Sequence, residues 1–293
     1  MTAISTRDLA KVYKDVRAVD GVTIDLEPDR IYGLLGRNGA GKTTLMQLLT
    51  GQIFATAGSM TVLGENPVEN AEVLSQTCFI QESQKYPDTF KAGNVLMVAA
   101  SVYPNWDAAF AARLVDEFRL PTKRLVKKLS RGQLSAIGII IGLASRAPLT
   151  FFDEPYLGLD AVARQLFYDR LLEDFAEHPR TVVLSTHHID EAANLLEHVV
   201  VLDDGQVLLD EDTEELRGRA IQVSGRADAI DAFAEHREEI ARERMGGLAT
   251  VTLIAHEGDR DAAQQADLAV ASVSLQNLIV HLTTGIERSA VSA

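Results

Sequence analysis

The stretch Gly36-Arg37-Asn38-Gly39-Ala40-Gly41-Lys42-Thr43-Thr44 constrains this chain more than any other. It satisfies every fixed position of the pattern G-x-x-x-x-G-K-[ST]. The short run Arg30-Ile31-Tyr32-Gly33-Leu34-Leu35, mostly apolar, precedes it at strand length. Leu45 to Thr50 follows with helical character and is closed by Gly51. Strand, glycine-rich loop and helix, in that order, form the setting the pattern requires. The glycines let the backbone curl until consecutive N–H groups face one hollow at a helix N-terminus, and such a hollow holds phosphate oxygens. Lys42 is placed to reach the outer phosphates and the Thr43 hydroxyl to ligate Mg2+. Gly-Lys-Thr occurs once, so one chain carries one such loop.

A second apolar strand ends in two acids, Leu149-Thr150-Phe151-Phe152-Asp153-Glu154. In a parallel sheet the carboxyl ends of the strands open on one crevice. Asp153 is therefore expected beside the phosphate loop, holding Mg2+ with Thr43, and Glu154 is placed to polarise an attacking water. Two more buried strands are expected. Thr77-Cys78-Phe79-Ile80 ends at Gln81, and Thr181-Val182-Val183-Leu184-Ser185 ends at Thr186-His187-His188. Residues 3–35 read as β-rich, with Val22–Leu26 alternating apolar and polar. Residues 92–120 read as helical, broken at Pro104-Asn105, with Asp107 capping the second helix. Ser130 can cap a strongly apolar helix after Gln133. Helices are also expected over 161–177 and 190–197, and Asp204-Gly205 predicts a hairpin.

The balance of 28 Lys+Arg against 42 Asp+Glu gives −14, which disfavours non-specific binding to nucleic acid or anionic lipid. Lys123, Arg124, Lys127 and Lys128 form a local basic group that reads as a solvated face. The lone Cys78 permits neither an internal disulfide nor a cysteine-based metal cluster; it is expected buried, and a reducing cytosol fits. The first residues show no signal-peptide pattern. The longest apolar window, Leu134 to Ala147, is too short to span a bilayer and reads as a buried helix. Near residue 218 the character changes. Strands at 221–223, 249–254 and 268–271 and helices at 227–241 and 274–282 predict a small α/β unit over 218–293 without phosphate motifs.

Taken in order, these motifs resemble the ATP-binding subunits of ABC transporters over residues 1 to about 215. Leu129-Ser130-Arg131-Gly132-Gln133 looks like that family's Leu-Ser-Gly-Gly-Gln signature, with Arg131 in place of the first glycine. Gln81 resembles the Q-loop glutamine, Gly158-Leu159-Asp160 the D-loop, His187 the switch histidine and Tyr13 the aromatic that stacks on adenine. His188 competes with His187, and register to the family motif favours His187. The resemblance implies an α/β phosphate-loop nucleotide-binding domain at 1–217. It would have an N-terminal antiparallel β subdomain and a helical subdomain at about 88–146, followed by the C-terminal extension, regulatory or dimerising. It implies an ATPase using ATP and Mg2+, with Gly36, Asn38, Gly39, Ala40, Gly41, Lys42, Thr43 and Thr44 around the phosphates. Thr43, Gln81 and Asp153 would surround the metal, and Glu154, His187 and Gln81 would serve hydrolysis. Ser130, Arg131, Gly132 and Gln133 would act in trans in a head-to-tail homodimer or heterodimer. The partner implied is a separately encoded membrane permease, with the subunit peripheral on the cytoplasmic face and no nucleic acid bound. Tyr103–Asp107 and Val273–Leu278 resemble exporter-type subunits. The alternatives are a soluble ABC ATPase acting on ribosomes or DNA, and a nucleotide-binding regulator with little turnover.

Overall fold

The computed structural model describes residues 2–256 and 258–280. The chain divides into two compact units within one strand, between Asp210 and Glu211.

In the first unit, β1 (Ile4–Tyr13), β2 (Val16–Val22) and β3 (Asp25–Leu26) precede β4 (Ile31–Leu35), the glycine loop and α1 (Lys42–Leu49). β5 (Ala57–Val62) returns to β1, completing an antiparallel sheet in which β1 pairs with β2, β3 and β5. After α2 (Ala71–Ser75) and β6 (Thr77–Ile80) come three helices, α3 (Ala92–Val102), α4 (Ala108–Glu117) and α5 (Arg131–Ala144). The chain then alternates through β7 (Leu149–Asp153), α6 (Ala161–Glu177), β8 (Thr181–Ser185), the short α7 (Ile189–Ala192), β9 (His198–Asp203) and β10 (Gln206–Asp212). The central sheet has the order β10-β9-β4-β8-β7-β6, parallel from β9 to β6. Its inner strands β4, β7 and β8 are buried on both faces, so they appear in the sequence as continuous apolar runs.

Strand order decides what meets at the carboxyl edge. β8 lies between β4 and β7, and Ser185 is in register with Leu34 on one side and Asp153 on the other. The helix α5 explains its apolar composition by where it sits: every residue from Ala136 to Ala144 is buried. A side chain at Gly142 would bring Cβ to 2.3 Å from the Phe152 ring, and one at Gly138 to 2.8 Å from Ile80. The helix therefore packs closely on β6 and β7, directly behind Gln81 and Asp153. Ser130 accepts the Gln133 N–H, and the Gln133 side chain accepts the Ser130 N–H, a reciprocal cap that fixes where the helix begins. Asp107 caps α4 through Phe110 N. Asp204 and Gly205 both have positive φ, the type I′ geometry that a two-residue hairpin turn favours. Cys78 is buried. The helix expected over 190–197 is confined to α7, and Leu195 and Leu196 are buried in the turn that follows.

The second unit contains α8 (Thr213–Gly218), β11 (Ala220–Arg226), α9 (Ala227–Ala234), β12 (Glu239–Met245), β13 (Leu248–Ile254), α10 (Asp259–Gln265) and β14 (Ala269–Ser272). From β11 onward this is a β-α-β-β-α-β succession, and the antiparallel order β12-β13-β11-β14 is the ferredoxin-like arrangement. Ile221, Val223, Val251 and Leu253 pack with Ile230 and Phe233 in its core. The helix expected over 227–241 ends at Ala234, and residues from 239 form a strand. Arg242 and Arg244, two apart, both meet Asp231 on α9, so charges that suggested a helix face belong to the period of a strand. Residues 275–280 are helical; 281 and 282 of the expected last helix lie outside the described residues.

An ion network with a buried centre at Asp174 and Arg180 ties the helical region to α6. Asp174 accepts from Arg180 Nη1 at 2.6 Å and Arg146 Nη2 at 3.0 Å, and Arg146 also pairs with Asp107 at 2.9 Å. The Phe110 N–H and Arg146 hold the Asp107 carboxyl below its usual range. Arg180 is 4% exposed. Replacing Asp174→Ala strands its charge, and the expected cost is about 3–5 kcal/mol of stability, read as a lower urea midpoint.

Candidate active site

The glycine loop keeps its shape through close backbone approaches. A Cβ on Gly36 would lie 2.2 Å from the Leu202 carbonyl oxygen. Gly41, at φ +102°, would bring one to 2.1 Å from that of Ala18. Neither position has room for a side chain. Ala40 is buried beneath the loop and its carbonyl accepts the Gly205 N–H. A cleft of about 270 Å³ opens above, lined on the loop side by Ala18, Asn38, Gly39, Gly41, Lys42, Thr43 and Thr44 and on the other by Glu82, Asp153 and Glu154. Lys42 is 6% exposed and its Nζ donates to the carbonyls of Gly36 and Arg37, at 2.8 and 3.1 Å. Burial lowers its pKa, and Glu154 and Asp153 act in the opposite direction.

Opposite the loop, Asp153 accepts from two hydroxyls. Thr43 Oγ1 donates to Oδ2 and Ser185 Oγ to Oδ1, each at 2.6 Å. The same Ser185 oxygen accepts the Glu154 N–H at 3.1 Å. Glu154 Oε2 lies 2.7 Å from His187 Nδ1, so the acid that follows β7 meets the first histidine after β8. His188 lies against His187 with ring centroids 4.1 Å apart and the planes tilted by 41°. Burial, and then His187, lower the His188 pKa. Thr43 Oγ1 and Asp153 Oδ2 are hard oxygen donors side by side at the cleft, a set that suits Mg2+ completed by phosphate oxygens and water.

Other predicted residues lie away from this group. Gln81 donates to Gln52 Oε1 at 3.1 Å and does not line the cleft. Tyr13 ends β1 at its hairpin with β2, 44% exposed, with Lys11 Nζ 5.0 Å from its ring centre. Ser130 and Arg131 are exposed, and among the described residues lining the cleft none comes from 130–133. A Cβ on Gly132 would meet the Gly158 carbonyl oxygen at 2.6 Å, so the start of α5 and the 158–160 loop are packed backbone to backbone. Asp160 caps α6 through Ala163 N at 2.8 Å.

Sequence reasoning missed Ser185, although it closes the strand beside Asp153 and the strand-edge argument applies to it equally. It also missed Glu82, which has no signal beyond its place after Gln81. Ser185→Ala leaves a buried carboxylate oxygen and a buried N–H short of a partner. The expected loss is about 1–3 kcal/mol, measured by thermal or urea unfolding.

A parallel sheet whose glycine loop faces an Asp-Glu strand across a small polar cleft defines a phosphate-loop ATPase. The ABC transporter family matches residues 19–157. The bacitracin transport ATP-binding protein BcrA of Bacillus licheniformis is 31% identical over 80% of this chain and 79% of its own length. The Nod factor export ATP-binding protein I of Cupriavidus metallidurans is 28% identical over 86% of this chain and 84% of its own. A solved ATP-binding subunit of an ABC transporter superposes with a TM-score of 0.66 at 26% identity, over 74% of this chain and 92% of that one. The chain belongs to the ATP-binding subunits of ABC transporters, and it is an ATPase. Subunits of this kind dimerise and work with membrane permeases. No helix among the described residues is long and apolar enough to cross a membrane.

Proposed function

We propose that this subunit powers an exporter, hydrolysing ATP between two head-to-tail nucleotide domains to drive a separately encoded permease at the cytoplasmic face of the membrane. One observation carries the catalytic part: Asp153 joins Thr43 of the phosphate loop to Ser185, with Glu154 and His187 in contact beside them. Lys42 and the loop N–H groups bind the phosphates, Lys42 exchanging its carbonyl partners for phosphate oxygens. Thr43 and Asp153 hold Mg2+, with Gln81 turning inward from Gln52 to join them; when bound, Mg2+ neutralises phosphate charge. Glu154 accepts a hydrogen bond from the attacking water and draws on its proton. His187 braces Glu154 and reaches the γ-phosphate. Tyr13 supports the adenine.

The dimer follows from what the cleft lacks. Among the described residues, the phosphate-loop side of the cleft is lined by Lys42, Thr43, Thr44 and Asn38 and the other side by the acids Glu82, Asp153 and Glu154, whereas Ser130, Gly132 and Gln133 stand exposed or half-buried at a helix N-terminus elsewhere. A second copy, or a related subunit, would bring its signature to the open side, where N–H groups and the helix dipole favour the γ-phosphate. Arg131 adds a cation at that position. Export is supported by the similarity to the Nod factor export protein, whose match to 86% of this chain reaches past the 210 residues of the first unit. We assign the second unit, a compact βαββαβ body without phosphate motifs, a regulatory or dimerising role.

Glu154→Gln is expected to bind ATP and to accumulate an ATP-stabilised dimer in size-exclusion chromatography while turnover falls by roughly a hundred-fold or more. Steady-state hydrolysis at the native rate would remove Glu154 from this role. Lys42→Ala should instead weaken nucleotide binding in a fluorescence titration by about ten-fold or more, through the loss of a charge-assisted contact. Affinity purification from solubilised membranes should recover a polytopic membrane protein in fixed ratio; recovery of ribosomal or DNA-bound partners alone would overturn the transport assignment.

A further inference from the structure

The loops carrying Glu154 and His187 meet a second time, one step further from the cleft. Tyr156, two residues after Glu154, is 2% exposed. Its hydroxyl donates to Thr186 Oγ1 at 2.6 Å, and that oxygen also accepts the His188 N–H at 2.9 Å. The ring meets both imidazoles edge to face, with centroids 6.1 Å from His187 and 5.5 Å from His188. The Arg164 guanidinium lies 6.0 Å from the ring centre. Burial raises the phenol pKa well above its usual value, so the hydroxyl remains a donor throughout the neutral range. Tyr156 itself does not line the cleft.

We propose that Tyr156 is a positioning residue for hydrolysis: through Thr186 it fixes the turn that presents His187 to Glu154. The inference rests on the reading of Glu154 and His187 given above. The need for such a tie is physical. His187 has a side chain 45% exposed, so packing alone does not select one rotamer for it. Two hydrogen bonds bracket the Glu154–His187 contact instead. Ser185 holds the Glu154 N–H on the strand side, and Tyr156 holds Thr186 on the outer side. Removing the outer tie leaves the phosphate loop and both carboxylates in place but lets the imidazole leave Glu154 for part of the time. Binding is then retained while the competent fraction falls.

The test compares steady-state ATPase of the full chain with the variants Tyr156→Phe, Thr186→Val, His187→Ala and the double variant Tyr156→Phe/His187→Ala. Thermal melting and titration with a fluorescent ATP analogue accompany the kinetics. Tyr156→Phe is expected to lower kcat about three- to ten-fold with KM changed less than about two-fold, in keeping with one buried hydrogen bond, and Thr186→Val, which also removes the acceptor of the His188 N–H, is expected to lower kcat at least as much. Tyr156→Phe should slow the His187→Ala background no further, because both act on the same contact. The proposal is overturned if Tyr156→Phe retains native kcat, if its effect adds fully to that of His187→Ala, or if activity falls only in step with the folded fraction. A slow His187→Ala beside a fast Tyr156→Phe removes Tyr156 alone. A His187→Ala variant at the native rate removes the Glu154–His187 reading and Tyr156 with it.

Discussion

Asp153 is a carboxylate 3% exposed at the end of a buried strand, and an anion so placed needs partners. Its partners come from two directions. Thr43 donates from the first turn of α1, and Ser185 donates from the end of β8. Because β8 lies between β4 and β7, this single side chain spans the strand that separates the phosphate loop from the Asp-Glu strand. The height of β7 relative to the loop, and with it the position of Glu154, is thereby set by two short hydrogen bonds in addition to the sheet ladder. The same arrangement keeps two oxygen donors adjacent at the cleft before any nucleotide arrives, which reduces the reorganisation that metal binding would require.

Behind this edge, one helix connects the remaining motifs. α5 approaches β6 and β7 at Gly138 and Gly142, where Ile80 and Phe152 occupy the space a side chain would need. Gln81 and Asp153 follow those two residues directly. At the other end of α5, Gly132 lies against Gly158, and Ser135 Oγ donates to the Leu157 carbonyl at 2.6 Å. The start of α5, the loop after β7 and the residue before Gln81 thus form one packed body. A shift of the signature relative to the Asp-Glu strand would have to break close backbone contacts, so this body is suited to move as a piece.

Legibility from sequence follows the range of the interactions concerned. The phosphate loop is written in contiguous residues whose local backbone demands are severe, as the approaches at Gly36 and Gly41 demonstrate. The buried strands are legible because a sheet covered on both faces produces unbroken apolar runs. The meeting of Asp153 with Thr43 was legible through the general geometry of parallel sheets, and so was the strand ending at Ser185, but not the strand order that sets it between β4 and β7, so Ser185 went unread. Gln52, the partner of Gln81, is fixed by tertiary packing that leaves no mark at either position. In the second unit the charged run after Ala227 suits a helix by composition. Its pairing with β13 decides otherwise, and strand pairing is a non-local property. The βαββαβ order itself emerges only once that strand is recognised.

Glu154 shows how much the site depends on its neighbours. Its φ is +46°, in the left-handed region that side chains other than glycine rarely occupy, and such a conformation costs on the order of 1–3 kcal/mol unless the surroundings enforce it. Here they do. The Ser185 hydroxyl accepts the Glu154 N–H, the Glu154 carbonyl accepts the Leu157 N–H at 3.4 Å, and Tyr156 two residues on is buried and tied to Thr186. An extended Glu154 would continue the pleat of β7 and send its successor away from Thr186. The left-handed turn instead brings Tyr156 back to Thr186, just past the end of β8, while the Glu154 side chain meets His187. The backbone reversal that positions the acid is thus the same reversal that buries the tyrosine behind the histidine pair, and neither placement is available without the other.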